Sequence, residues 1–128
     1  MASVGPAIGA LLVDDEPDVR LLLRKMIESE NDGLFVAGEA ADGQEAIDAI
    51  EQCNPSVIVI DERMPAMTGM EAAAIIIARH PGRPVVLCTA HLDDELRDRA
   101  GAMGIASCVP KRDMSSIPRL LKDLGKTA

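Results

Sequence analysis

Residues 8–16 read Ile8-Gly9-Ala10-Leu11-Leu12-Val13-Asp14-Asp15-Glu16, and residues 56–61 read Ser56-Val57-Ile58-Val59-Ile60-Asp61. Each is a short apolar run that stops at a carboxylate. Runs of this length, bounded by polar residues, read as strands buried on both faces of a parallel sheet. If the two strands are neighbours, their C-terminal ends bring Asp14, Asp15 and Asp61 together at one sheet edge. Like charges a few Å apart raise one another's pKa. Such a cluster must protonate, stay hydrated or recruit a hard, oxygen-seeking cation such as Mg²⁺, and metal binding is the favoured outcome.

Working outward, three further runs of the same kind occupy residues 34–38, 84–88 and 105–109. Helical patterns lie between and after them. Val19, Leu22, Leu23, Met26 and Ile27 follow the spacing of a helix face, and Pro17 suits a first helical turn. Ala46, Ile47 and Ile50 start a second helix after Asp42-Gly43. Residues 70–78 form a third after Met67-Thr68-Gly69. A fourth, residues 93–103, is more polar and is expected to be the least stable or most mobile. Residues 115–124, with Ile117, Leu120, Leu121 and Leu124 in register and Gly125 as a stop, supply the fifth. The alternation predicts a (βα)₅ chain, an α/β doubly wound parallel five-stranded sheet with right-handed crossovers, and a functional edge at the strand C-termini. It divides into an extension at residues 1–7, one domain at 8–124 and a short tail at 125–128.

Composition narrows the function. With 128 residues the chain fits one domain with a real core. A net charge of −8 and an aromatic content of 1% argue against direct nucleic-acid binding and against anionic membranes. No stretch resembles a signal peptide or a membrane span. Cys53, Cys88 and Cys108 are odd in number and form no C-x-x-C, which suits reduced thiols and a cytoplasmic setting.

At the expected edge stand Asp14-Asp15-Glu16 after the first strand, Asp61 after the third, Thr89-Ala90 after the fourth and Lys111 after the fifth. Carboxylates, a hydroxyl and an ammonium are the equipment for phosphoryl transfer to a carboxylate, with Asp61 as the nucleophile. Singly, each has a plainer reading: a helix-dipole partner, a turn residue, a strand end, a solvated charge. Only the set promotes them. Met64, Met67 and Met70 read as loop and core packing, since thioethers and carboxylates prefer different ions. Gly125-Lys126-Thr127 lacks the loop a phosphate-binding motif needs, and His80 and His91 have no ligand spacing.

Over residues 8–124 the chain resembles the receiver domain of two-component response regulators, a flavodoxin-like fold. The likeness rests on Asp14-Asp15, Asp61 followed by Met64-Pro65 and Gly69, Thr89-Ala90, and Lys111. It implies that Asp61 takes a phosphoryl group from a sensor histidine kinase or a histidine phosphotransfer protein. It further implies that Asp15, Asp61 and the Arg63 backbone carbonyl ligate Mg²⁺, with Asp14 acting mainly through water. Lys111 would pair with the phosphoryl group, and Thr89 would sense it so that the fourth helix and fifth strand repack, switching an output face made of the fourth helix, fifth strand and fifth helix. The implied partners are a downstream protein or a tethered effector, and a phosphorylation-dependent homodimer. The domain would be a switch, not an ordinary enzyme, although self-phosphorylation from small donors and autodephosphorylation would remain open to it.

Several positions depart from the family pattern. Cys108 stands where Tyr or Phe is usual, so the aromatic half of the switch is missing. Pro110 precedes Lys111 and Arg112 follows it, where a cis-proline commonly follows the lysine. Glu62 occupies a usually apolar position and would add negative charge beside Asp61 if it points there. Arg63 and His91, two residues beyond Asp61 and Thr89, are placed to set the lifetime of a phosphoryl group. The alternatives are a phosphorylation-independent docking module and a receiver cut from a DNA-binding transcriptional regulator. A haloacid-dehalogenase-type phosphohydrolase would want a second Asp where Arg63 stands. A nucleotide-binding fold would want glycines or hydroxyls where Asp14-Asp15-Glu16 stand.

Overall fold

Five parallel strands form one sheet in the order β2-β1-β3-β4-β5 in the computed structural model, which describes residues 7–30 and 32–127. The elements are β1 (Ile8–Val13), α1 (Pro17–Glu30), β2 (Leu34–Ala40), α2 (Gly43–Cys53), β3 (Val57–Ile60), α3 (Gly69–Arg79), β4 (Val85–Thr89), α4 (Asp94–Met103), β5 (Ser107–Pro110) and α5 (Ile117–Thr127). A 3₁₀ segment, Lys111–Ser116, joins β5 to α5. The doubly wound (βα)₅ arrangement is the expected one. Strand order reverses between β1 and β3, the point at which such sheets open a crevice for ligands.

Both faces of the sheet are covered, which is why the central strands carry no polar alternation. Every residue of β1, β3 and β4 is buried. Leu11, Val13, Ile58, Ile60 and Leu87 pack with Ile47, Ile50 and Ile76 under α2, α3 and α4. Ala10, Leu12, Val57 and Val59 pack with Leu23, Ile27, Ile117 and Leu121 under α1 and α5. α4 contributes only Leu96 and Ala100 to the buried set, in keeping with its weak pattern.

Caps set the helix ends. Asp42, Thr68 and Asp93 each accept a hydrogen bond from a first-turn amide of α2, α3 and α4, and Thr68 completes a capping box with Glu71. Asn54 ends α2 in the left-handed region at φ 49°, and Gly104 ends α4 at φ 106°.

Three local expectations change. Leu22 is exposed, because at about 100° per residue it lies one step outside the stripe centred on Leu23. Gly125 does not stop α5, which runs on to Thr127, so residues 125–127 belong to the helix and not to a tail. Its role is close packing: a Cβ there would meet Ile8 Cγ2 at 2.6 Å. The fifth helical stretch begins as the 3₁₀ turn right after β5 and becomes regular at Ile117. The extension at 1–7 lies outside the described residues apart from Ala7.

Gly69 opens α3 where its backbone passes against the Asp61 carbonyl, and a Cβ would overlap that carbonyl and the backbone of Glu62. Gly101, inside α4, has open space around it. Gly69→Ala is therefore expected to cost about 1–3 kcal/mol in a denaturant titration. Gly101→Ala should gain up to about 1 kcal/mol through helix propensity. Equal behaviour of the two would contradict the close-approach argument.

Candidate functional site

β1 and β3 deliver the acidic residues side by side. The Asp61 amide donates to the Val13 carbonyl at 3.0 Å and the Asp14 amide to the Ala40 carbonyl at 3.1 Å, so each carboxylate leaves the sheet from a fixed backbone. Asp14 and Asp61 are 3% and 4% exposed, whereas Asp15 and Glu16 point into solvent. Lys111 reaches across from the far side of β4. Its Nζ lies 3.0 Å from Asp14 Oδ2, 3.1 Å from Asp61 Oδ2 and 3.8 Å from Glu16 Oε1.

Electrostatics follow from that triangle. Burial pushes the Asp14 carboxyl above the usual aspartate range and the Asp61 charge adds to the rise. The Glu16 amide at 2.9 Å and the Lys111 ammonium oppose it without cancelling it. Burial alone would lower the Lys111 pKa, but its bonds to Asp14 and Asp61 hold it above the ordinary lysine value. Cys88, buried next to this cluster, has its thiol pushed up to about 12, chiefly by burial, and stays protonated at neutral pH.

A cavity of about 220 Å³ opens over the triangle, lined by Asp15, Glu16, Asp61, Arg63, Thr89, Ala90, His91 and Lys111. Of the residues expected to hold the metal, meet the phosphoryl group or set its lifetime, Asp14 alone is not in the lining. Thr89 is 1% exposed, and among the described residues its Oγ1 accepts one long 3.5 Å contact, from the His91 amide. The same threonine also borders a groove of about 490 Å³ between the β3–α3 loop and α4. Cys108 stands apart on β5, half-buried against the α4 side of the core. Burial raises its thiol pKa, and its carbonyl accepts from Arg97 at 3.5 Å.

The donor set suits a hard divalent cation. Carboxylate oxygens of Asp14, Asp15 and Glu16 lie within 4.8 Å of one another. With Asp61 they form an all-oxygen environment at a crevice where a cationic ammonium already sits between two buried carboxylates. Glu16 is an acidic neighbour that the resemblance did not assign to the metal.

The structure redirects Glu62. Its Oε1 accepts from the Met70 amide at 2.8 Å and its carbonyl from the Gly69 amide at 2.9 Å. The charge thus faces the positive end of α3 and not the Asp61 carboxylate. Lys111 is aimed without a cis-proline: the described residues contain no cis peptide, and Pro110, extended at ψ 146°, hands the chain directly to the 3₁₀ turn. Arg20 went unnoticed in the sequence; its Nη1 donates to the Asp14 carbonyl at 2.6 Å. Only an arginine on the first helix opposite a charged residue in a half-buried strand could have hinted at it.

The model of the response regulator receiver domain family matches residues 10–122. The chain is 38% identical over 127 residues to a protein-glutamate methylesterase/protein-glutamine glutaminase of Pyrococcus horikoshii, covering 97% of this chain and 33% of that protein. It is 34% identical over 101 residues to the transcriptional regulatory protein PdtaR of Mycobacterium tuberculosis, covering 79% of this chain and 48% of that one. Among solved structures it is similar to the response regulator domain of Thermotoga maritima CheB, with a TM-score of 0.81 and 27% identity over 94% of this chain and 95% of that one. A two-component response regulator of the LuxR family from Aurantimonas gives a TM-score of 0.87 at 27% identity over 94% and 86%. The chain spans about a third of the length of the methylesterases it matches. No helix among the described residues is long and apolar enough to cross a membrane.

The raised Asp14 carboxyl makes a stability prediction. A group whose folded pKa exceeds its unfolded value contributes stability below that unfolded value, near 3.8 here, and loses it as pH rises through the folded value. At neutral pH the Asp14 charge therefore works against the metal-free fold. Asp14→Asn should raise the thermal midpoint at pH 7 without divalent cations by on the order of a few degrees. The gain should fade as the pH approaches 4. A lower midpoint at pH 7 would contradict the assignment.

Proposed function

The chain belongs to the response regulator receiver domain family and acts in two-component signalling, and on that premise we propose that Asp61 is its phospho-acceptor. The observation that carries the proposal is the Lys111 bridge. An ammonium 3.1 Å from Asp61 Oδ2, at the floor of a cavity of about 220 Å³, stands where a phosphoryl oxygen would need neutralising. The donor is a phosphohistidine of a sensor histidine kinase or a histidine phosphotransfer protein, met in the cytoplasm.

Asp61 Oδ attacks phosphorus in line. The P–N bond breaks with its electron pair returning to the imidazole, and a P–O bond to Asp61 forms. Lys111 then exchanges its bond to Asp61 Oδ2 for one to a phosphoryl oxygen. The Thr89 hydroxyl, tied now only by a 3.5 Å contact, turns to donate to another. Asp15, Asp61 and the Arg63 carbonyl would hold Mg²⁺ with Asp14 behind water, and the ion supplies charge neutralisation for the remaining oxygens when bound. Because Thr89 borders both the acceptor cavity and the groove against α4, its movement changes the packing of α4, and through it the output face of α4, β5 and α5. The aspartyl phosphate is a signal and not a turnover intermediate. Its reader is a downstream protein, a tethered effector or a second copy of the domain.

Intact mass after incubation with Mg²⁺ and acetyl phosphate tests the acceptor. One added phosphoryl mass is expected in the wild type and none in Asp61→Asn or after chelation. Absence of any gain in the wild type would leave the domain as a docking module.

Arg63 and His91 line the mouth of the cavity and are exposed, so they control the approach of water to the acyl phosphate. Arg63→Ala should change the aspartyl-phosphate half-life at least a few-fold, a barrier difference of about 1 kcal/mol. An unchanged half-life would make Arg63 a bystander.

A further inference from the structure

Asp14 is held from behind as well as from in front. Its carboxylate faces Lys111, while its carbonyl oxygen accepts from Arg20 Nη1 at 2.6 Å. The same guanidinium donates through Nε to Glu39 Oε1 at 2.9 Å. One turn further along α1, Arg24 closes on the other Glu39 oxygen from Nε at 2.8 Å and Nη2 at 2.6 Å. Burial works to raise the Glu39 carboxyl pKa, but the hydrogen bonds from Arg24 and Arg20 outweigh it and keep it below the usual range. The glutamate is therefore a charged anchor at neutral pH. It fixes Arg20 in the one orientation that presents Nη1 to Asp14.

Glu39 faces α1 only because of an irregularity in β2. Along β1, Leu11 and Val13 face the core under α2 and α3, and Ala10 and Leu12 face the core under α1 and α5. β2 tracks that alternation as far as the pair Ala10↔Val36, and the next pair is Leu11↔Gly38, so Ala37 is an extra residue. Without it Glu39 would stand opposite Val13 and face the apolar α2 side, since a shift of one residue turns every later side chain over. With it Glu39 stands opposite Leu12 on the α1 side, and Ala40 returns to the core beside Val13. The bulge thus re-aims a side chain at the functional edge.

We propose that Arg20, anchored by Glu39, is a positioning residue for the divalent-cation site: it fixes the Asp14 carbonyl and with it the turn that carries Asp15 and Glu16. The proposal rests on reading the acidic cluster as a Mg²⁺ site. Outer groups that hold ligands in place sustain metal affinity because a loose turn must be ordered each time the ion binds. The plainer role, an ion pair that only joins α1 to β2, is tested by Arg24, which holds the same glutamate but does not touch Asp14.

The chain has no Trp or Tyr, so Mg²⁺ affinity is best measured by isothermal titration calorimetry at fixed ionic strength. Wild type, Arg20→Ala, Arg20→Lys, Glu39→Gln and Arg24→Ala would be compared. The second readout is amide exchange of Glu16, whose N–H donates to Asp14 Oδ1 at 2.9 Å, measured against Leu12 in the metal-free protein. Arg20→Ala should weaken Mg²⁺ binding about tenfold and speed Glu16 exchange relative to Leu12 by a similar factor. Glu39→Gln should move both in the same direction by less, and it replaces Arg20→Ala if that variant does not fold. Arg20→Lys should recover part of the loss, and Arg24→Ala should stay within about twofold of wild type. Unchanged Mg²⁺ affinity and Glu16 exchange in Arg20→Ala, equal losses in Arg24→Ala, or no Mg²⁺ binding by the wild type would each overturn the proposal. Neither readout involves phosphoryl transfer. An Arg20-dependent Mg²⁺ site in a protein that takes up no phosphoryl group would sink the acceptor reading and leave this one standing.

Discussion

Two buried carboxylates on adjacent parallel strands, held by one ammonium, form the constraint around which this fold is arranged. Asp14 and Asp61 end β1 and β3, whose backbones are joined there by the Asp61 amide and the Val13 carbonyl. The backbone positions from which the two carboxylates project are thereby fixed relative to each other. Their repulsion is contained by Lys111, which must arrive from beyond β4 to sit 3.0 and 3.1 Å from them. Removing the ammonium would leave two uncompensated buried carboxylates, whereas neutralising Asp14 leaves Asp61 and Lys111 as a balanced pair. An excess of negative charge remains after Lys111 is counted, and such an excess favours a cation nearby.

The loops around the cluster are held by contacts that leave the chemistry free. The β3–α3 loop is drawn onto α3 by Glu62, which satisfies the Gly69 and Met70 amides, and by the Thr68–Glu71 capping box. Ala66 in that loop sits at φ 68°, a conformation that costs a non-glycine residue about 1–2 kcal/mol and persists because the turn around it is tied at both ends. The β1–α1 turn is tied through Arg20. On the β4 side the buried Thr89 hydroxyl has, among the described residues, one long hydrogen-bond contact, from the His91 amide. Of the two buried side chains that end β3 and β4, the Thr89 hydroxyl is held less firmly than the Asp61 carboxylate.

Cys108 occupies its place on β5, opposite Leu87, without disturbing the sheet. A half-buried thiol cannot sweep the volume of an aromatic ring. Thr89 instead borders the groove formed by the β3–α3 loop and α4, and α4 contributes little to the core. Repacking of α4 over that groove offers a route that needs no ring.

What the sequence by itself determined is the sheet, its functional edge and the identity of the charged set there. Unbroken apolar runs ending in Asp14 and Asp61 can satisfy burial on both faces in only one kind of sheet. Thr89 and Lys111 follow as the next strand ends. The tertiary structure decided where the supporting side chains point. Glu62 belongs to α3 because a helix N-terminus lies beside it, and Gly125 belongs inside α5 because Ile8 crosses it there. Glu39 reaches Arg20 only because one extra residue at Ala37 reverses the alternation of β2. A bulge leaves no local pattern, since its residue is an ordinary alanine and its effect lies in the register between two strands. Burial preferences are written residue by residue along a chain, whereas register, helix-end neighbours and close approaches exist only between segments that folding has brought together.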